Sequence, residues 1–212
     1  MTLVEMLIAM AVLGIIVPIF LTSLISVQTR VGRQTDRSLT NDQARLAVEQ
    51  LDREIRSGNL LYDPKDETPA YMSLRVYTQT NASTRTPGNR CVQWRIVGGQ
   101  LQRRDWSITW RTDGVVSGWR VVADHLVNQT VSPAVPVFKL DPDPAKGYTC
   151  VANCSDPNPA NRRYAGRSLV VTLLVNEDAS SGQNVRLQSS ITGRNTQYGY
   201  PVSVCDDIPP PS

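Results

Sequence analysis

The chain has 212 residues, 41% of them hydrophobic, which suits one ordinary domain with an appendage and excludes wholesale disorder. Its net charge is only +3, from 22 basic and 19 acidic residues, and no basic run has the density of a nucleic-acid surface. The four cysteines, Cys91, Cys150, Cys154 and Cys205, fit an oxidising compartment and two disulfides. Zinc is the alternative, but only CVANC approaches knuckle spacing and the one histidine, His125, is distant in sequence.

The first element is MTLVEMLIAMAVLGIIVPIFLTSLISV. From Met6 to Val27 there is no charged residue. As a helix that stretch rises about 33 Å, which matches a hydrocarbon core of about 30 Å. A cleavable signal would have a basic start and a small-residue cleavage site, and neither is present, so residues 1–27 read as a membrane helix. The first basic residues after it, Arg30, Arg33 and Arg37, would put the C-terminal side in the cytoplasm, against the disulfides. A basic leader removed ahead of residue 1 would resolve that conflict. Gly14 weakens the helix, and Pro18 removes a donor and crowds the carbonyl of Gly14, so a kink or local melting is expected there. Glu5 is the outlier: an ionisable residue in a membrane segment is costly and marks a functional candidate, whose available cation is an N-terminal amine. Its place near the helix start also suits the dipole.

Residues 28–58 continue as an amphipathic half. Ala44, Val48, Leu51 and Ile55 form one apolar stripe, and Glu49–Arg53 and Asp52–Arg56 are spaced as surface pairs. Gly58 reads as the C′ stop. The two halves make one helix of about 57 residues, roughly 85 Å long.

Residues 59–205 form the globular part, and from Tyr71 onward the pattern switches to period two. YMSLRVYT alternates Met72, Leu74 and Val76 with polar neighbours, as a half-buried strand does, and RCVQWRIV alternates Val92, Trp94 and Ile96. Gly98-Gly99 predicts a hairpin back into QLQRRD. WSITWR puts Trp106, Ile108 and Trp110 on one face, before a turn at Asp113-Gly114. SLVVTLLV and VRLQSSIT read as an antiparallel pair. The fold class is therefore α+β, a long helix laid on an antiparallel sheet. A long Pro/Asn/Asp-rich loop holds Cys150 and Cys154, which would close a small ring, whereas Cys91–Cys205 would close more than 100 residues. Three pairings are open. Residues 206–212, DDIPPPS, read as a disordered tail.

Nothing reads as an enzyme or as needing a cofactor. His125 stands alone and reads as structural. Asp141 and Asp143 in LDPDPAKG are a weak Ca²⁺ pair, and their prolines suit a solvated turn better, so no metal is expected. Trp94, Trp106, Trp110 and Trp119 offer two readings, a stacking surface with nearby arginines or core packing, and their alternation favours core packing. Sequons at Asn81, Asn128 and Asn153 are too common to use.

MTLVEMLIAM resembles the mature N-terminus of type IV pilins and pseudopilins. The family pattern of an apolar first residue, Thr, Leu, a β-branched residue and Glu maps onto Met1, Thr2, Leu3, Val4 and Glu5, with Met1 where Phe is usual. The resemblance implies a leader cut by a membrane prepilin peptidase and N-methylation of Met1. It also implies pairing of Glu5 with the N-terminal amine of a neighbouring subunit, which the cost of an unpaired buried charge makes reasonable. QARLAVEQLDREIRSGN, VVADHLVN, LVVTLLVN and VRLQSSITGRN resemble J-type minor pseudopilins and W-type minor pilins. That implies a pilin-like lollipop of helix and β-rich head, acting as a minor subunit of a type IV pilus or type II secretion pseudopilus. The implied partners are other subunits through their N-terminal helices, the membrane, the prepilin peptidase and the inner-membrane assembly platform. Nucleic acid would be a partner only in a DNA-uptake pilus. The implied location is a single-pass membrane protein with an extracytoplasmic head, then a filament. The other class is a membrane-anchored binding module that never polymerises.

Overall fold

The computed structural model describes residues 2–78, 88–141, 150–152, 163–164, 168–176, 183–193 and 203–210. Two compact units divide the chain, one ending at Leu39 and the other starting at Thr40. Helix α1, Leu3–Ser57, supplies the first unit and the opening of the second.

The first unit is helix alone, long and apolar enough to span a membrane. From Leu3 through Val27 its large apolar side chains are exposed. Helix α1 runs through Gly14 and Pro18, the place of the expected kink or local melting, as one continuous element. Proline removes one donor, its own, and Gly14 places no Cβ against a neighbour. The hydroxyl of Thr22 bonds back to the carbonyls of Pro18 (3.0 Å) and Ile19 (2.9 Å) just beyond. Thr29 and Thr35 likewise donate to Ile25 and Val31, so these hydroxyls find acceptors within the helix itself.

The second unit carries a five-stranded antiparallel sheet in chain order: β1 (Gly58–Leu61), β2 (Ser73–Thr78), β3 (Arg90–Val97), β4 (Gln100–Ser107) and β5 (Arg120–Ala123). A three-stranded sheet is ordered β10 (Val185–Thr192), β9 (Ser168–Val175), β6 (Phe138–Asp141), and β7 (Cys150–Ala152) pairs β8 (Arg163–Tyr164) as a ribbon. The α+β layout therefore holds, with two main sheets in place of one. Both expected hairpins form, β3–β4 around Gly98-Gly99 and β9–β10 in continuous register from Ser168↔Thr192 to Val175↔Val185.

Two glycines are there for steric reasons. Gly58 does follow the helix, but as the first residue of β1: a Cβ there would lie 2.5 Å from Val76 Cγ1, so the chain passes too close to β2 for any side chain. Gly99 adopts φ +77°, and a Cβ would come within 3.2 Å of the Leu126 carbonyl. That approach lets Leu126 N–H donate to the Gly99 carbonyl at 2.8 Å. Two residues on, Asn128 is fully buried and binds the other sheet, donating to Thr172 O (2.9 Å) and accepting from Leu174 N–H (2.8 Å). Residues 126–128 thus stitch the β3–β4 turn to β9.

One core joins these pieces. Ala44, Ala47, Leu51 and Ile55 of α1 pack with Leu74, Val76, Val92, Trp94 and Ile96 of the larger sheet and with Leu140, Leu169, Val171 and Leu173 of the smaller. The stripe on the helix is as the 3.6 period predicts, and Val48 lies at its margin. Three expectations need correction. Strand β4 ends at Ser107, and Trp110–Asp113 forms a short helix, α2, closed by Gly114 at φ +66°. Ile108 is consequently exposed and does not share a face with Trp106. Strands β2 and β3 are not half-buried: on their outer side Tyr77 and Cys91 join Trp106 of β4 and Cys205 in a second apolar cluster. What covers them is a strap of residues 203–210 across the sheet, in which 206–210 belong to the stretch expected as a disordered tail.

Candidate functional site

Glu5 has a partner inside its own chain. Its Oε2 accepts the Thr2 backbone N–H at 2.8 Å and lies 3.3 Å from the Thr2 hydroxyl. The Thr2 carbonyl in turn accepts from Glu5 N–H (3.1 Å) and Met6 N–H (3.4 Å). This is the acidic half of a capping box, T-x-x-E, and the spacing is visible in the sequence although the reading of Glu5 as an isolated charge passed it over. The carboxylate thereby satisfies one of the orphan donors at the helix start and sits at the favourable end of the dipole. Glu5, Thr2 and Leu3 are all exposed, so the geometry leaves room for a further cation. Met1 lies outside the described residues.

In the second unit a polar cluster stands where α1 meets the larger sheet, and the sequence reading did not single it out. Glu54 is 1% exposed, and its two oxygens are shared between elements. Oε2 accepts from Trp94 Nε1 at 2.7 Å, and Oε1 accepts from Arg103 Nε at 2.6 Å. Arg103, fully buried, also donates from Nη1 to Asp105 Oδ1 at 2.8 Å, and Asp105 is held by Ser117. Every charge in the cluster is hydrogen-bonded, which is the condition for burying charges at all. Alternation places Arg103 and Asp105 inward with Leu101, so a strand that reads LQRRD brings an ion pair to the core. The signal that could have found it is Glu54 itself, seven residues after Ala47 and therefore on the apolar stripe. Asp52, by contrast, forms the expected exposed pair with Arg56 at 2.7 Å.

The strap is fastened at four points. Cys91 and Cys205 form a disulfide with a Cα–Cα distance of 5.7 Å, which selects one of the three open pairings. Arg75 donates to Cys205 O at 2.7 Å and pairs with Glu67, while its guanidinium lies 4.4 Å over the Tyr62 ring. Burial pushes the Glu67 carboxyl up against the pull of Arg75, and it pushes the Tyr62 hydroxyl up as well. Arg104 donates to the carbonyls of Pro209 and Pro210. Farther along α2, Trp110 Nε1 donates to Asp207 O, and Arg111 grips the Asp207 carboxylate with two bonds of 2.6 Å. Those bonds hold Asp207 below the usual carboxylate range.

The Asp207 clamp is an acid-sensitive fastening. An acid whose folded value is depressed contributes binding that is complete above its ordinary range and is lost as pH falls through the lowered value. Protection of the Asp206 amide, which bonds Ser203 O, should therefore fall relative to its intrinsic exchange rate as pH falls below the ordinary aspartate range, while amides of β3 stay protected. Equal loss of protection at both sites would rule out a local clamp.

The remaining candidates scatter. Cys150 begins β7, but its side chain and all of Cys154 lie outside the described residues, as does Asp143, so neither the small ring nor the calcium pair is visible. Asp141 ends β6. His125 is exposed at φ +60°, where its carbonyl accepts from Asn176 N–H. Trp94 and Trp106 are core residues, while Trp110 and Trp119 are partly exposed and stack with Arg111 and with Arg95. Asn128 spends its side chain on the core. Comparison with protein-family models, curated proteins and solved structures finds no match to this chain.

Proposed function

We propose that this chain is an assembly subunit, of the minor J/W type, in a type IV pilus or type II secretion pseudopilus, with its head outside the cytoplasm and no chemical turnover of its own. The observation that carries the reading is a continuous helix that exposes its large apolar side chains from Leu3 to Val27, carries one carboxylate at the start, and continues into a half packed in the core of a β-rich head. Apolar surface on that scale is stable only against lipid or other helices. Extraction from the membrane would exchange the first for the second, and Glu5 would set axial register by pairing with the terminal amine of the next subunit.

A second reading is favoured by the capping contact. If Thr2 is the only partner Glu5 needs, the helix could be a permanent anchor for a binding module. Two substitutions separate the readings. Glu5→Ala removes both cap and charge, whereas Glu5→Gln keeps an acceptor for Thr2 N–H and removes only the charge. Under the assembly reading both variants keep a folded head and lose incorporation into sheared filaments, by about tenfold or more. Normal incorporation of Glu5→Gln would end the pairing idea. Peptide mass spectrometry of membrane and filament fractions adds the decisive control: an N-methylated Met1 in filaments is expected, and an unprocessed terminus confined to membranes would leave the anchored module.

A further inference from the structure

Arg104 lies on the outer face of β4, 3% exposed, beneath the strap. A guanidinium taken out of water ordinarily faces a carboxylate, because an uncompensated charge is costly to bury. Arg104 faces three neutral oxygens: Gln93 Oε1 at 3.1 Å, Pro210 O at 3.2 Å and Pro209 O at 3.0 Å. These use three of its five N–H groups. Strand register sets Gln93 opposite Arg104 and Gln102 opposite Arg95, so the two arginines are diagonal neighbours on one face. Arg95, partly exposed, also has a neutral partner, donating from Nε to Gln102 Oε1 at 3.0 Å. No carboxylate among the described residues pairs with either arginine. Trp119 joins them, its ring centre 3.6 Å from the Arg95 guanidinium carbon and 4.5 Å from that of Arg104. The indole N–H of Trp119 is buried with no acceptor among the described residues. Burial first, then repulsion from Arg95, lower Arg104 to about 10, so it remains charged at neutral pH.

We propose that Arg95, Arg104 and Trp119 form an oxyanion-binding site, in which a carboxylate or phosphate group rests on the Nη atoms of Arg95 and supplies the counter-charge that no described residue provides here. Arg95 makes the contact because it is the accessible cation. Arg104 adds its field from beneath, at low local dielectric, and Trp119 holds the Arg95 guanidinium flat by cation–π attraction. Base stacking is disfavoured, since the ring face of Trp119 is already covered by Arg95. A planar fork with four unused Nη hydrogens suits an oxygen pair.

The test uses the full chain in non-ionic detergent and follows the indole N–H resonances during titration with sodium phosphate or sodium acetate, with chloride holding ionic strength constant. A saturable shift of the Trp119 resonance is expected, with Trp94 unmoved. Saturation by phosphate alone assigns a phosphate-bearing ligand, and saturation by acetate assigns a carboxylate. Arg95→Gln should weaken that response by about tenfold or more. Gln102→Glu, which places a carboxylate beside Arg95 within the chain, should raise the melting temperature and abolish the response. An unchanged Trp94 resonance in both variants reports an intact core. The proposal is overturned if neither anion saturates, or if either variant responds as the parent does.

Discussion

Replacing Arg103 with methionine should lower the unfolding free energy of the head by about 3–5 kcal/mol, far more than any surface ion pair is worth. The reason is what remains behind. Glu54 keeps only Trp94 of its two described side-chain donors, and Asp105 keeps only Ser117, both out of water. The cost falls on the joint between α1 and β4, because Glu54 belongs to one and Arg103 to the other. Chemical denaturation of the full chain in detergent, read by tryptophan fluorescence, measures it. A cycle with Glu54→Gln isolates the pair: the double variant should be more stable than the sum of the single losses implies, since each charge is worst when alone. If Arg103→Met costs under about 1 kcal/mol, the pair behaves as an exposed one and the buried clamp is wrong.

Replacing both Cys91 and Cys205 with serine should cost about 4–5 kcal/mol in the chain-entropy account, because the bridge joins residues 114 apart. Removing both together avoids leaving a reactive thiol. Two effects should accompany the loss. The denaturant dependence should steepen, since an unbridged unfolded chain exposes more surface. The strap should also loosen at Cys205, where Arg75 and Tyr62 bind its backbone, before the core sheet opens. A loss below about 1 kcal/mol with an unchanged slope would mean that polar contacts hold the strap unaided.

Local patterns made much of this molecule readable. The apolar run from Met6 to Val27, the stripe through Ala44, Leu51 and Ile55, the Gly98-Gly99 hairpin and the β9–β10 pair each follow from a period of 3.6 or 2 or from turn chemistry within a few residues. Other features obeyed the same local rules and went unread, including the T-x-x-E box at Thr2 and Glu5 and the placement of Glu54 on the apolar stripe. Periodicity overreached at WSITWR. There the hydroxyl of Thr109 bonds the Asp113 carboxylate, and Gly114 accepts a left-handed turn, so a helical turn displaces the strand.

The sequence alone, then, determined the long helix, strands β2 to β4, the β9–β10 pair and the apolar character of the N-terminal half, because those depend on neighbours along the chain. Tertiary structure decided what depends on neighbours in space. It chose Cys205 for Cys91, and it brought Arg103 of β4 against Glu54 of α1, 49 positions away. It also drew a proline-rich end over Tyr77, Cys91 and Trp106. Each of these joins residues dozens of positions apart, and the energy that selects them is burial and charge pairing, to which no local period corresponds.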